Sequence, residues 1–395
     1  MEFPLENKRI KLVILSIASL LMISMTASSI LADIGLHFTN VDESVIQMVL
    51  SLPSLFGLIF AFAAGPLSRW ISKKSLIIFS LISGLIGGLI ALILGPLTIE
   101  FLLFSSALIG VAQGINATMT MSLITDYFTG EESGAMMGLQ SAFLNGGSMV
   151  LLLVSGLLAN ISWNYAYLVY LAFIPVFLIT LKYLPRNRPV QPKLDVHEYK
   201  RGKLNLSVYF ISFVIFLFGL FFFVFQTNIA LLVVDKEYGD ATLSGLLNTT
   251  LSAAGMVTGI WYGKLKHRLK GLIIPIGIIA VSIGMGLICF IGTLSGFFVA
   301  SIFIGFGIGC VMPSGIFLAA NSVNSEKQST AIAIVTASVN LGMFASPIII
   351  NRISYVMVAE SLNFKFFLSF ISLFLLAALY LAGNRFILKR HDTKI

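Results

Sequence analysis

The sequence predicts an all-α membrane protein with 12 transmembrane helices in two six-helix halves, and three observations predict it. Hydrophobic residues make up 57% and charged residues only 11% of the 395 positions, with a mean hydropathy of +0.98. A soluble domain carries about 25% charged residues, so too little polar surface is present to face water all round. Apolar runs of roughly 20 residues recur along the whole chain, each long enough to cross the hydrocarbon core as a helix. Their apolarity is continuous, where barrel strands would alternate over about ten residues. Finally, the Lys and Arg residues collect in the short loops between these runs.

In order, the first half gives spans at 10–34, 44–66, 75–96, 99–122, 133–159 and 165–185. The second gives 205–234, 242–263, 272–293, 296–320, 330–357 and 363–384. The polar stretch 186–204, bounded by Pro185 and containing Pro189 and Pro192, reads as a linker between halves 1–185 and 205–395. With the N-terminus inside, only Lys236, Arg352 and Lys365 of the 25 basic residues fall outside. This bias predicts a multi-pass protein of the cell membrane with both termini cytoplasmic. The first apolar run is long enough to span and lacks a small-residue cleavage site, so it reads as a span rather than a signal peptide.

Several function classes are excluded at this stage. The net charge of +8 is accounted for by the inside loops, so nucleic acid is not expected as a partner. Cys289 and Cys310 lie within apolar runs and read as neither a disulfide nor a metal site. His37, His197, His267 and His391 all fall in loops or the tail, so no intramembrane enzyme is expected, and no cofactor. No phosphate-binding Gly-rich loop with Lys-Ser/Thr is present, so any energy comes from a gradient.

The halves repeat. At a shift of 195 residues Gly110 and Gly114 fall on Gly305 and Gly309, Glu131 on Glu326, and Asn145 and Gly147 on Asn340 and Gly342. Duplicated halves are the plan of one large transporter class. The loop after the second span reads Gly65-Pro66-Leu67-Ser68-Arg69-Trp70-Ile71-Ser72-Lys73-Lys74, and the fourth span contains Gln113-Gly114 followed by Asn116. With these features the chain resembles the major facilitator superfamily over its whole length. In the family loop pattern, Gly-x-Leu-x-Asp-Arg-x-Gly-Arg-Lys, Gly65, Leu67, Lys73 and Lys74 agree, while Arg69 replaces the aspartate and Ser72 the second glycine. The arginine that drug/proton antiporters place three residues before Gln-Gly is Gly110 here, and the fifth span lacks their late Gly-Pro.

The resemblance implies two pseudo-symmetric bundles around a central cavity. It implies a cytoplasmic gate at Gly65, Arg69, Lys73 and Lys74, with Asp126 and Glu131 at the inner end of the fourth span as partners. Charges are nearly absent from span centres, so uncharged polar residues are the cavity candidates: Gln113, Asn116, Gln140, Asn145, Gln226 and Asn248. For each, hydrogen bonding between helices competes with solute contact. Asp33, the acidic residue of the first span beyond the tail, is the candidate for proton coupling. The expected function is secondary active transport of a small neutral or amphipathic solute by a monomer, as a proton-coupled exporter. A facilitator or nutrient importer without proton coupling is the alternative, and a non-transporting receptor or scaffold a remote one.

Overall fold

The computed structural model describes residues 3–185, 205–323, 327–358 and 361–392. Among these, the elements are helices and turns: α1 (Phe3–Ala18), a 3-10 segment (Ile23–Ser29), α2 (Leu31–His37), α3 (Glu43–Leu67), α4 (Lys73–Ile93), α5 (Ile99–Tyr127) and α6 (Gly130–Ala159). A second 3-10 segment (Trp163–Ala172) leads into α7 (Phe173–Tyr183). Then come α8 (Leu206–Asp235), α9 (Ala241–Leu269), α10 (Ile273–Phe290), α11 (Leu294–Asn321), α12 (Gln328–Val358) and α13 (Leu362–Asp392). Eleven stretches of the described residues are long and apolar enough to cross a membrane. One, Ala241–Phe290, is 50 residues long and covers both the eighth and ninth expected spans. The expected linker 186–204 lies outside the described residues.

The chain divides into two compact units, Met1–Lys200 with Gly239–Thr249, and Arg201–Tyr238 with Thr250–Ile395. The first turns of α9 thus cluster with the first unit.

Each unit uses glycines for its tightest crossings. In the first, Gly110 and Gly114 of α5 lie against Pro53 and Gly57 of α3: a Cβ added at Gly110 would stand 2.7 Å from Phe56 Cβ and from the Pro53 carbonyl oxygen. In the second, Gly305 and Gly309 of α11 lie in the same way against Leu251, Gly255 and Thr258 of α9. Gly147 of α6 abuts the Ser19 carbonyl, and its repeat partner Gly342 of α12 abuts the Phe216 carbonyl of α8. Small residues let apolar helices approach where lipid supplies no hydrophobic drive between them.

Two expected spans are not continuous α-helices. The first breaks after Ala18 and continues as 3-10 before α2, so that its candidate span is Asn7–Ser29 and Asp33 lies beyond it. In this stretch Ser19, Thr26 and Ser29 each donate to the carbonyl three residues back, at 2.7, 2.7 and 2.8 Å, so that hydroxyls share the carbonyls with the backbone ladder. The sixth span opens as 3-10, which packs Tyr170 onto Gly88 of α4, while Phe173 packs onto Gly84. Lys365, expected outside, is fully buried in the first turns of α13.

Candidate functional site

A polar centre forms within the first unit. Gln113, Asn116 and Thr120 recur at i, i+3 and i+7 on α5 and therefore share one face. Ser24, in the buried 3-10 segment, donates to Gln113 Oε1 at 2.9 Å. Ser80 of α4 donates to Asn116 Oδ1 at 2.6 Å, and Gln140 Nε2 of α6 donates to Thr120 Oγ1 at 3.0 Å. Thr120 in turn donates to the Asn116 carbonyl at 2.7 Å. The Tyr170 hydroxyl closes the centre on the Ile23 carbonyl at 3.3 Å. Every one of these groups is an amide, a hydroxyl or a backbone carbonyl.

Two amide oxygens stand apart. Gln140 is 5% exposed and its Oε1 is buried with no hydrogen-bond partner among the described residues. The same holds for Oδ1 of Asn248, which is 1% exposed. Its Nδ2 donates to Ser28 Oγ at 3.2 Å and to the Ser244 carbonyl at 3.0 Å, all within the first unit. A buried acceptor left unpaired costs about 1–3 kcal/mol, so each oxygen favours an incoming N–H or O–H donor. A cavity of about 470 Å³ lies on the same unit, lined by apolar atoms of Leu20, Phe143, Gly147, Val150 and Leu151 with Ser19. Gln140 and Gly147 are seven residues apart on α6 and lie on one stripe of that helix.

At the far end of α5, Lys73 Nζ donates to Asp126 Oδ2 at 2.5 Å and to Ser122 Oγ at 2.6 Å. Among the described residues this is the one ion pair. Lys74 Nζ donates to the Leu181 and Leu184 carbonyls at 2.8 and 2.6 Å, capping the end of α7 with a cation. At the other end, Asp33 on α2 is partly buried. Burial raises its pKa above the ordinary carboxylate value, and the charge of Asp240 adds to the rise.

The family model described as Major Facilitator Superfamily matches residues 12–347 and 211–390. The chain belongs to the Major Facilitator Superfamily. It is a multi-pass membrane transporter, not an enzyme. Three solved structures illustrate the likeness of fold. A mutant of the nucleoside transporter NupG aligns with a TM-score of 0.75 at 14% identity, over 94% of this chain and 99% of that one. A bacterial homolog of the human lysosomal transporter Spinster, inward-facing and unoccupied, gives 0.71 at 14% over 97% and 98%. The POT family transporter PepTSo gives 0.76 at 13% over 96% and 98%. No curated protein matches the sequence.

Against the expectations for this superfamily member, the structure brings Asn116 and Gln140 together through Thr120, and ties Gln113 to Ser24. Asn145 instead bonds within its own helix, donating to the Ser141 carbonyl at 2.9 Å. Gln226 is buried in the second unit, on α8. Asn248 packs with the first unit. In the expected gate, Lys73 meets Asp126, Arg69 is exposed, Gly65 has open space around it, and the side chain of Glu131 lies outside the described residues. Sequence reasoning missed Ser80 and Tyr170. Ser80 is an isolated hydroxyl in an apolar run, one turn before Gly84, and only the packing of α4 on α5 gives it a partner.

Proposed function

We propose that this transporter moves a small neutral or amphipathic organic solute by alternating access, as a proton-coupled exporter working as a monomer in the cell membrane with both termini cytoplasmic. The observation that carries the solute class is the uncharged polar centre of the first unit, with two buried amide oxygens able to accept hydrogen bonds. A strongly charged solute would enter this unit without a compensating buried charge, at high desolvation cost. Gln113, Asn116, Gln140 and Asn248 are the solute-contact candidates of the first unit, and Gln226 is the candidate of the second. Asn145, whose amide donates to the Ser141 carbonyl as that of Asn248 does to Ser244, remains a candidate on α6.

Proton coupling rests on Asp33, whose partial burial beside Asp240 holds its carboxyl closer to the working pH range. Lys73 with Asp126 is the candidate cytoplasmic latch. The nucleoside and peptide transporters among the structural neighbours keep the alternative alive: a facilitator or importer of a polar nutrient that uses no proton. Export follows from the family resemblance of the sequence. A thermal-shift screen against chemically diverse solutes tests the solute class, because a ligand of the folded state stabilises it. Neutral or amphipathic compounds should raise the melting temperature of wild-type protein but not of Gln140→Leu. Stabilisation confined to strongly anionic or cationic solutes would overturn the reading.

A further inference from the structure

The two units treat their basic loops differently. In the first, Lys73 and Lys74 are taken up by Asp126 and by the end of α7. In the second, the end of α9 and the turn after it carry Lys264, Lys266, His267, Arg268 and Lys270, and no acidic residue occurs anywhere from Ala241 to Phe290. The position that repeats Asp126 at the shift of 195 is Asn321, whose Nδ2 donates to the Phe317 carbonyl of its own helix at 2.8 Å. Among the described residues, none of the four Lys and Arg side chains of this turn forms an ion pair. Two lie over aromatic rings: Lys266 over Phe317 of α11, and Lys264 at 5.6 Å from the Trp261 ring centroid.

Their placement on α9 is ordered. Val257, Ile260, Trp261, Lys264 and Arg268 follow at i, i+3, i+4, i+7 and i+11, which is one continuous stripe of an α-helix. The three apolar members are exposed, Trp261 at 59%, and Lys264 and Arg268 are exposed as well. The stripe runs about 16 Å along the helix axis, on the order of half the ~30 Å hydrocarbon core. Its apolar part, Val257 to Trp261, covers about 6 Å of that length, with the indole at its upper edge and, above it, two cations that form no ion pair among the described residues. Lys266 falls on the opposite side of α9.

We propose that this stripe is a binding site for an anionic phospholipid: the phosphate and its negative headgroup on Lys264 and Arg268, and an acyl chain along Val257, Ile260 and Trp261. Charge complementarity selects the lipid. Two cations without a counter-ion among the described residues, at the depth of the headgroups, favour an anionic over a zwitterionic one, and the guanidinium of Arg268 suits a bidentate phosphate contact. The second unit thus takes from the bilayer the counter-charge that the first unit takes from Asp126.

Trp261 reports on the site directly. The full chain carrying W70F and W163F, leaving Trp261 as its one tryptophan, is reconstituted in phosphatidylcholine vesicles containing a small fraction of brominated phosphatidylglycerol or brominated phosphatidylcholine. Each basic side chain at the surface is worth roughly a fivefold preference for anionic lipid, so brominated phosphatidylglycerol should quench well beyond its share of the bilayer. K264Q/R268Q should bring its quenching down to that of brominated phosphatidylcholine, while unchanged quenching by the latter confirms that Trp261 is still embedded. The charge-matched control K266Q/K270Q should keep most of the preference. Equal quenching by the two lipids in the parent, or equal loss in the two double variants, would overturn the site. So would loss of the preference on adding millimolar inorganic phosphate, which would assign the cations to a free anion.

Discussion

Lys73 shows how much a single residue of the expected gate can do. Its ammonium reaches Asp126 and Ser122 together, with the two charged side chains 19% and 37% exposed. A pair so accessible contributes roughly 0–1 kcal/mol, too little to hold a fold but enough to shift a near-balanced conformational equilibrium several-fold. Lys73→Ala or Asp126→Ala should therefore leave the melting temperature almost unchanged while altering the inward and outward populations in spectroscopic distance measurements. Unaltered populations in both variants would remove the latch. Asp33 gives a pH signature. Its folded-state pKa is raised, so it binds more protons folded than unfolded, and this part of the stability is lost as pH rises through the raised value. Asp33→Asn should flatten that part of the stability profile, and wild-type and variant curves of identical shape would contradict the assignment. Lys73 and Lys74 were legible in the sequence because the loop pattern fixes their spacing, and Asp126 because it is an acidic residue at the inner end of the fourth span. Ser80 and Tyr170 were not, since an isolated hydroxyl in an apolar run acquires meaning only from the helix packed against it. Gly110 also becomes intelligible: its face of α5 is pressed against Pro53 and Phe56, and no arginine side chain could leave from there without parting the helices.

The elements were largely legible because each apolar run is about one bilayer long, and ten of the twelve expected spans appear as α-helix over most of their length. The two exceptions have a common reason: apolar periodicity sets the length of a span and says nothing about whether its ladder is α or 3-10. The first span breaks where Ser and Thr back-bond to carbonyls three residues earlier, and the sixth opens as 3-10 where its aromatics pack on the glycines of α4. The break in the first span coincides with the crossing of α6, where Gly147 abuts Ser19. Its neighbour Gly146 has nothing within 4 Å of an added Cβ. The two adjacent glycines should thus respond in opposite ways to alanine. Gly147→Ala should destabilise by about 1–3 kcal/mol through overpacking. Gly146→Ala should be neutral or stabilising by up to about 1 kcal/mol from helix propensity. Thermal unfolding in detergent separates them, and similar shifts for both would mean that the crossing is not where the structure has it. The repeat of this contact at Gly342 and Phe216 gives physical content to the Asn-x-Gly pair found at one common offset in the sequence.

At the scale of the whole molecule, the basic bias of the loops carries the proposed orientation. Single cysteines introduced as N40C and D240C should be labelled by an impermeant reagent from outside the cell, and Q191C should not; outside labelling at 191 would invert the topology. The solute, the direction of movement and the coupling ion are less legible than the fold, because an amide or hydroxyl that could meet a solute can equally bond within the helices, as Asn145 does to the Ser141 carbonyl. The movement of a neutral or amphipathic solute proposed for this chain draws on a proton gradient through Asp33. It is tested most directly by flux of a compound identified by thermal shift into proteoliposomes, with and without an imposed pH gradient. Wild-type protein should accumulate the compound only when the gradient is present, and Asp33→Asn should lose accumulation while keeping downhill exchange. Wild-type flux indifferent to the gradient, or gradient-driven accumulation undiminished in Asp33→Asn, would contradict it.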